Sequence, residues 1–358
     1  MFYFFENRVY RSLKKMTKNI IKLKTNTSNS DFDRGRLVYH NGKFVSERDA
    51  KISIFDSALM FGDMVFEMTR SFNQKQFKLK EHLERLFYGI KIYRIPMRIT
   101  INELEDICYQ TIEKNKPFFE KTDEHRLMIN VSRGPLGIYA PVFDNKLEPT
   151  VVVADFPLKW TVAYMGKLYD EGVNLVLTSQ RAIPGSLMDP KIKNRSRVFY
   201  QMANIEASMF KGKNNWALLM DPDGFIAEGS GDNFFIVKNN KVITPEGRNC
   251  LVGISRNYIF DLCKELDIEC VEKNIEPYDV YTADEAFITG TPFCILPAFK
   301  FNELPIGDGK FGIITKLLIN KWGKNLNVDI IKQIQDWEKE CLDINEKNKE
   351  APTPYQFS

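Results

Sequence analysis

An α/β fold in two domains is what this sequence predicts, on three observations. The chain has 358 residues, enough for two domains that each bury a core. Strand-like and helix-like patterns alternate over residues 37–154, and a second alternation runs over residues 173–322. The segment from Phe156-Pro157 to Met165 lies between the two and reads as a crossing from one domain to the other. The organisation that follows is a basic extension over 1–34, a small α/β domain over 35–157, an interdomain segment over 158–165, a larger domain over 166–326, and a C-terminal helix and tail over 327–358. No internal repeat is found.

The elements follow in chain order. Residues 37–39 and 43–45 flank Asn41-Gly42, the dipeptide that a two-residue hairpin turn favours. Residues 64–70 read as a strand, and residues 77–79 follow the turn Asn73-Gln-Lys-Gln76 as another. Between 81 and 94 the apolar residues fall at 83, 86, 87, 90 and 93, a helical spacing that stops before Pro96. Residues 102–115 form a second helix, and 126–131 and 150–154 are strands. In the second half, 173–177 is a strand and 197–210 a helix whose apolar face carries Val198, Phe199, Met202 and Ile205. Residues 216–220 and 225–227 pair across the turn Asp221-Pro-Asp-Gly224. Residues 255–266 are helical, 285–289 form a strand ending at Gly290-Thr291-Pro292, and 310–322 make the last core helix. The tail from Glu346 is charged and frays.

Composition narrows the function. Fifty Lys and Arg against 47 Asp and Glu leave a net charge of +3, so no broad field points to nucleic acid or to a membrane surface. The six cysteines, 108, 250, 263, 270, 294 and 341, include no CxxC pair. That spacing indicates neither a zinc site nor a disulfide framework, and the expected compartment is reducing. With only three histidines, a multi-histidine metal site is a poor fit. No apolar run approaches the ~20 residues that span a bilayer. Residues 1–34 are rich in Lys and Arg as far as Lys24, with Glu6 the one acid in that stretch. They read as a disordered extension, or as sequence upstream of a start at Met16, in preference to an organelle-targeting peptide, and the expected location is cytoplasmic.

The candidate chemistry centres on residues 228–255. Glu228 stands where a strand runs out into small residues, and Gly253-Ile-Ser255 opens a helix further on. A glycine there lets the backbone turn, and the bare N–H groups with the helix dipole suit a phosphate. The same three residues equally suit a plain serine N-cap. Glu228 suits a protonated ring nitrogen, or is a solvated loop acid. Lys193 lies in Pro190-Lys-Ile-Lys-Asn-Arg-Ser-Arg197. Burial and the cations Lys191, Arg195 and Arg197 would lower its pKa enough for Schiff-base chemistry, while a solvated basic turn is the plainer alternative. Arg85 offers a planar fork to a phosphate, or pairs with Glu81 one helical turn back. A ligand with a cationic ring nitrogen at one end and a phosphate at the other would join Glu228 to the Gly253 loop.

Taken jointly, these residues resemble the class IV aminotransferases, the pyridoxal-phosphate enzymes of fold type IV. The signature runs Glu228, Ser230, Asn233, Phe234, Phe235, Thr244 and then Leu251-Val-Gly-Ile-Ser-Arg256, in the family's order and within its gaps. Phe61-Gly-Asp63 with Val65-Phe-Glu67, and Glu81-His82 with Arg85-Leu86, match its small domain. Ala283-Asp-Glu-Ala-Phe287, Thr289-Gly-Thr291 and Gly307-Asp-Gly-Lys-Phe-Gly312 match the end of its large domain, so the resemblance covers about residues 36–325.

The resemblance implies pyridoxal 5′-phosphate between the two domains, no metal, and a homodimer in which the partner's small domain closes the pocket. It implies Lys193 as the residue that bonds the cofactor and moves the proton, with Lys191 as the rival. Glu228 would face the pyridine nitrogen. Arg85, the Ile254 and Ser255 N–H groups and Thr291 would hold the phosphate, and Arg197 would lie near the ring hydroxyl, where branched-chain enzymes carry a Tyr.

Residues 126–138 look most like the branched-chain amino acid aminotransferases, and Phe61, Arg126, Tyr139 and Thr291 are the implied substrate residues. Arg126 would reach the distal carboxylate of glutamate. Ile138-Tyr139-Ala140 stands where D-amino-acid enzymes have an Arg-x-His pair. Two departures are visible. Phe61 replaces the Tyr of the usual Tyr-Gly. Pro292, with no N–H to give, stands where a backbone N–H helps to bind the substrate's α-carboxylate, so either the carboxylate is held differently here or the preferred amine is not a standard α-amino acid. The expected reaction passes an amino group from a branched-chain L-amino acid to a 2-oxo acid such as 2-oxoglutarate. The family's other members offer an aminodeoxychorismate lyase-like elimination, which the Arg197 position resembles, and a D-amino-acid or amine transaminase.

Overall fold

Asn41 and Gly42 both take positive φ, 44° and 84°, so the chain reverses there as that dipeptide favours. In the computed structural model, which describes residues 35–347 with side chains as far as Cys341, β1 (Leu37–His40) accordingly folds back on β2 (Lys43–Ser46). The expectations for residues 1–34 and for the tail beyond 347 lie outside the described residues. Asp56 caps the short α1 (Ser57–Phe61), which leads through Gly62 into β3 (Met64–Met68). Next come β4 (Ser71–Phe72) and β5 (Lys75–Gln76), which turn tightly at Asn73-Gln74 because both residues are left-handed. Residues 77–79 are therefore not the strand expected of them. They lead directly into α2 (Leu79–Ile92), which buries Leu83, Leu86 and Ile90. A Thr100–Glu103 capping box starts α3 (Ile101–Asn115).

With β6 (His125–Ser132) and β7 (Thr150–Pro157), the first strands form a five-stranded antiparallel sheet in the order β2-β1-β7-β6-β3. Leu127, Ile129, Val131, Val151 and Val153 pack with α2 and α3 on one face. Strand alternation turns Phe66, Arg126, Met128 and Asn130 to the other face.

The connecting turns α4 (Lys159–Val162) and α5 (Leu168–Glu171) lead to β8 (Val173–Arg181). Then follow α6 (Val198–Ser208), β9 (Asn215–Met220), β10 (Ile226–Gly229), β11 (Asn233–Lys238), β12 (Lys241–Thr244) and α7 (Ile254–Glu265). The chain ends with β13 (Cys270–Glu272), α8 (Pro277–Tyr281), β14 (Glu285–Gly290), β15 (Cys294–Phe301), β16 (Leu304–Pro305), α9 (Ile313–Leu326) and α10 (Ile330–Lys347). These strands make a nine-stranded sheet in the order β10-β9-β8-β15-β14-β11-β12-β13, with β16 on β15. Because β10 also pairs with β11, the path closes on itself, and Glu228 opposite Asn233 is the closing pair.

Two expectations change here. The buried face of α6 is Ala203 and Ala207, which pack with Val176, Ala217 and Leu219, while Val198 and Met202 are exposed. Small residues win because the helix lies close against β8 and β9. The last core helix is α10, not residues 310–322, since Ile330, Ile334 and Trp337 join the main core. Both sheets belong to one compact unit that begins at Arg36. Among the described residues no helix is long and apolar enough to cross a membrane.

Candidate active site

Lys193 is placed by backbone pairing to the small sheet. Phe66 N–H donates to the Lys193 carbonyl at 2.9 Å, and Arg195 N–H donates to the Met64 carbonyl at 2.9 Å. Residues 193–195 thus lie along the free edge of β3, and the Lys193 ammonium sits 4.8 Å from the Phe66 ring centre. Burial first, then Arg197 and Arg85, pull its pKa down to about 7, against the opposing pull of Glu67 and Glu228. Lys191 stands differently. It is exposed and pairs with Asp189 at 3.1 Å.

Glu228 lies at the seam of the large sheet. Its carboxylate accepts from Tyr200 Oη at 2.5 Å, from Leu251 N–H at 3.0 Å and from Asn233 Nδ2 at 3.3 Å. Burial raises its pKa above the ordinary carboxylate value, against Tyr200, Leu251, Arg197 and Lys193. Asp232 beside it is pushed well up, by burial and then by the Glu228 charge. The Tyr200 hydroxyl is raised well above its ordinary value by burial and Glu228, so it stays the donor at neutral pH. Arg197 stacks over Tyr200 at 4.3 Å and donates to the Ser230 carbonyl at 2.5 Å.

The opposite end is the N-terminus of α7. Its N-cap is Gly253, which makes no side-chain cap, so the first N–H groups face the cleft bare. A Cβ at Gly253 would lie 2.2 Å from Asn233 Oδ1, and only glycine fits there. Beside it Arg85 donates from Nε and Nη2 to the two Glu67 oxygens at 2.6 and 2.8 Å, and from Nη1 to the Val252 carbonyl at 2.9 Å. His82 Nδ1 meets Glu67 at 2.7 Å. Burial alone would raise Glu67, but Arg85 and His82 hold it at about 2. Burial keeps His82 below its ordinary value despite Glu67, so the imidazole is neutral and donates.

The third wall is the loop after β14. Thr289 Oγ1 is buried and has no hydrogen-bond partner among the described residues. Gly290 and Thr291 follow it. The Pro292 carbonyl accepts from Arg70 Nη1 at 3.0 Å, and the Phe293 carbonyl accepts from Tyr169 Oη at 2.9 Å. Arg70 also reaches Cys294 Sγ and Gln333 on α10, at 3.3 and 3.0 Å.

These walls line a single open cleft. Seven of the residues singled out from sequence line it together: Arg85, Lys193, Arg197, Glu228, Ile254, Ser255 and Thr291. Tyr200, Asp232, Asn233 and Thr289 line it too, without having been singled out as site residues. Asn233 and Thr289 carried a signal, the first in the signature and the second in the Thr289-Gly-Thr291 match. Three expected substrate residues stand apart from this lining. Phe61 is 68% exposed, and Tyr139 packs against Phe55 with ring centres 4.6 Å apart. Arg126 is buried on the face of the small sheet away from α2 and α3, with Nη2 3.6 Å from Met68 Sδ.

The class IV aminotransferase family model matches residues 64–301, well over half of the chain. The chain belongs to the class IV aminotransferases. A Methanocaldococcus jannaschii relative, provisionally assigned as a branched-chain-amino-acid aminotransferase, is 37% identical over 289 residues, 80% of this chain and 94% of its own. The branched-chain-amino-acid aminotransferase of Escherichia coli K12 is 32% identical over 287 residues, 78% of this chain and 89% of that one. Among solved structures, a branched-chain amino acid aminotransferase of Escherichia coli superposes with a TM-score of 0.68 at 27% identity, covering 81% of this chain and 94% of that one. A second solved branched-chain amino acid aminotransferase, complexed with N-(5'-phosphopyridoxyl)-L-glutamate, superposes with a TM-score of 0.70 at 27% identity, covering 85% of this chain and 97% of its own.

The aminotransferase's cleft fits pyridoxal phosphate. It holds one amine of lowered pKa, a carboxylate with one oxygen open to a further donor, uncapped N–H groups for a dianion, and an orphaned Thr289 hydroxyl.

Proposed function

We propose that this aminotransferase moves the amino group of a branched-chain L-amino acid to 2-oxoglutarate, with pyridoxal phosphate seated between Glu228 and the N-terminus of α7. The observation that carries the reading is the meeting of Lys193, Glu228 and the bare α7 N–H groups in one cleft. The names of the relatives support the choice of substrate. When bound, the cofactor supplies an aldehyde that takes up the amine and a ring that draws electrons from the substrate Cα. Lys193 would hold the cofactor at its aldehyde carbon, and its amine would serve as base and acid for the proton at the substrate Cα. Glu228 keeps the ring nitrogen protonated, and Tyr200 holds the Glu228 carboxylate in place. The α7 N–H groups, Ser255, Thr291 and the remaining hydrogens of Arg85 bind the phosphate. Arg197 faces the ring hydroxyl. Arg126 binds the distal carboxylate of glutamate, and Phe61 and Tyr139 belong to the substrate side.

The assembly we propose is a homodimer. Ile54, Leu59, Phe61, Ile138 and Val142 are exposed apolar residues on α1 and the connections of the small sheet, and a second copy would cover them. A cytoplasmic, reducing setting accords with six free cysteines.

The test is direct. Purified protein given pyridoxal phosphate takes on visible absorbance and consumes L-leucine or L-valine only when 2-oxoglutarate is present. Lys193→Ala loses the absorbance and about 10⁴-fold in turnover. A wild type that takes up no cofactor overturns the reading. Pyruvate release from aminodeoxychorismate without an acceptor would make the enzyme a lyase.

A further inference from the structure

We propose that Arg195 binds the carboxylate that the amino acid and oxo acid substrates share, in place of the loop N–H that Pro292 cannot supply. The inference rests on the aminotransferase reading and deepens it. The backbone bond from Arg195 N–H to Met64 fixes the residue on the edge of β3, and its guanidinium carbon lies over Phe66 at 3.6 Å from the ring centre. The Lys193 ammonium is 4.8 Å from the centre of the same ring. Lys193 and Arg195 therefore stand against one and the same phenyl ring.

The guanidinium is aimed rather than loose. Nε and Nη2 both donate to Asn130 Oδ1, at 3.1 and 2.8 Å, which locks the plane of the fork. No bond from Nη1 to any described residue is seen, so both of its hydrogens remain to be given. A planar fork of this kind matches a carboxylate's two oxygens.

Charge points the same way. Arg85 has Glu67 and Lys191 has Asp189, whereas Lys193, Arg195 and Arg197 share the Phe66 ring without an ion pair to a described residue. Arg195 forms no ion pair with a described residue, and its strongest charged neighbour is another cation, Arg197. Burial and then Arg197 pull its pKa down to about 10. Two largely buried guanidinium groups side by side are costly unless an anion joins them. The cofactor's phosphate is not that anion, because its place is at α7, beyond Lys193. The substrate's carboxylate is the anion left.

The experiment uses the holoenzyme and two ligands that cannot react, 4-methylpentanoate and its neutral isostere 4-methylpentanamide, with equilibrium binding read by calorimetry. In Arg195→Met the acid binds about tenfold to a hundredfold more weakly, while the amide is unchanged within about threefold. In Arg195→Lys, which keeps the charge and loses the fork, the acid falls between the two. Unchanged acid binding in Arg195→Met overturns the proposal. So does an equal loss for acid and amide, which a merely structural role would give. If Arg195→Met does not fold, the acid-against-amide contrast in Arg195→Lys decides on the same terms. Cofactor uptake by the wild type, read first by absorbance, tests the aminotransferase reading separately.

Discussion

The two ends of the cleft are built on opposite electrostatic plans. At the α7 end, Arg85 forks onto Glu67, His82 completes the cluster, and the side chains sum to little net charge. What attracts an anion there is a row of backbone N–H groups, fixed in direction and unable to titrate. At the Phe66 end, Lys193, Arg195 and Arg197 gather around one ring, and the ion pairs found there among described residues involve none of the three. The first plan suits an anion that arrives once and stays. The second suits anions that come and go with every turnover, since its attraction is strong when the site is empty and is cancelled when it is filled.

The contrast can be broken most severely at Glu67. Removing it in Glu67→Ala leaves Arg85 buried without its acid, and the expected loss is about 3–5 kcal/mol of stability, read from the denaturant midpoint. The pH arm has a definite sign. Glu67 is held below its unfolded value of 4.5, at about 2, so its stabilisation is full above pH 4.5 and is lost as the pH falls towards 2. The wild type should therefore lose its advantage over Glu67→Ala across that interval, and parallel acid curves would contradict it. Glu228→Gln is the next largest, expected to lower turnover roughly 10²–10³-fold while the protein still captures the cofactor. Equal loss of capture and turnover would make Glu228 a binding residue only. The smallest effect is the pH dependence of capture by the cofactor-free protein. Only the neutral amine attacks, and with Lys193 at about 7 the rate should be about tenfold higher at pH 8 than at pH 6, then level off. A rate that kept climbing to pH 10 would mean an ordinary lysine.

The signature residues were legible because their spacing encodes a strand end, a hairpin and a helix start, which the chain folds into the seam at Glu228 and Asn233 and the turn at Gly253. Arg85 and Lys193 were legible only in that company. Tyr200 was not, since a tyrosine in an apolar helix looks like core until β10 brings Glu228 to its hydroxyl. The face of α6 departs from its apolar pattern for a related reason. Bulk marks the buried side of a helix in general, but this helix presses on β8 and β9 with alanines. The hairpin β4/β5 was displaced because Gln74, no usual left-handed residue, takes φ 65° there. The role proposed for Arg195 depends on where Phe66 and Asn130 stand, two partners 129 and 65 residues upstream in the chain, which no local pattern reports.

Arg70 has a consequence of a different kind. It belongs to the small sheet's chain just after β3, yet its one guanidinium grips the Pro292 carbonyl of the cleft's third wall and Gln333 of the C-terminal helix. Three parts of the molecule are pinned at a single point. Any hinge movement of the small sheet about residues 158–165 must drag Thr291 with it or break that pin, so the mouth of the cleft and its back wall travel as one piece. Shortening the chain before Gln333 would remove a fastening of the active-site loop, and damage to the last helix would be felt as slackness at Thr291.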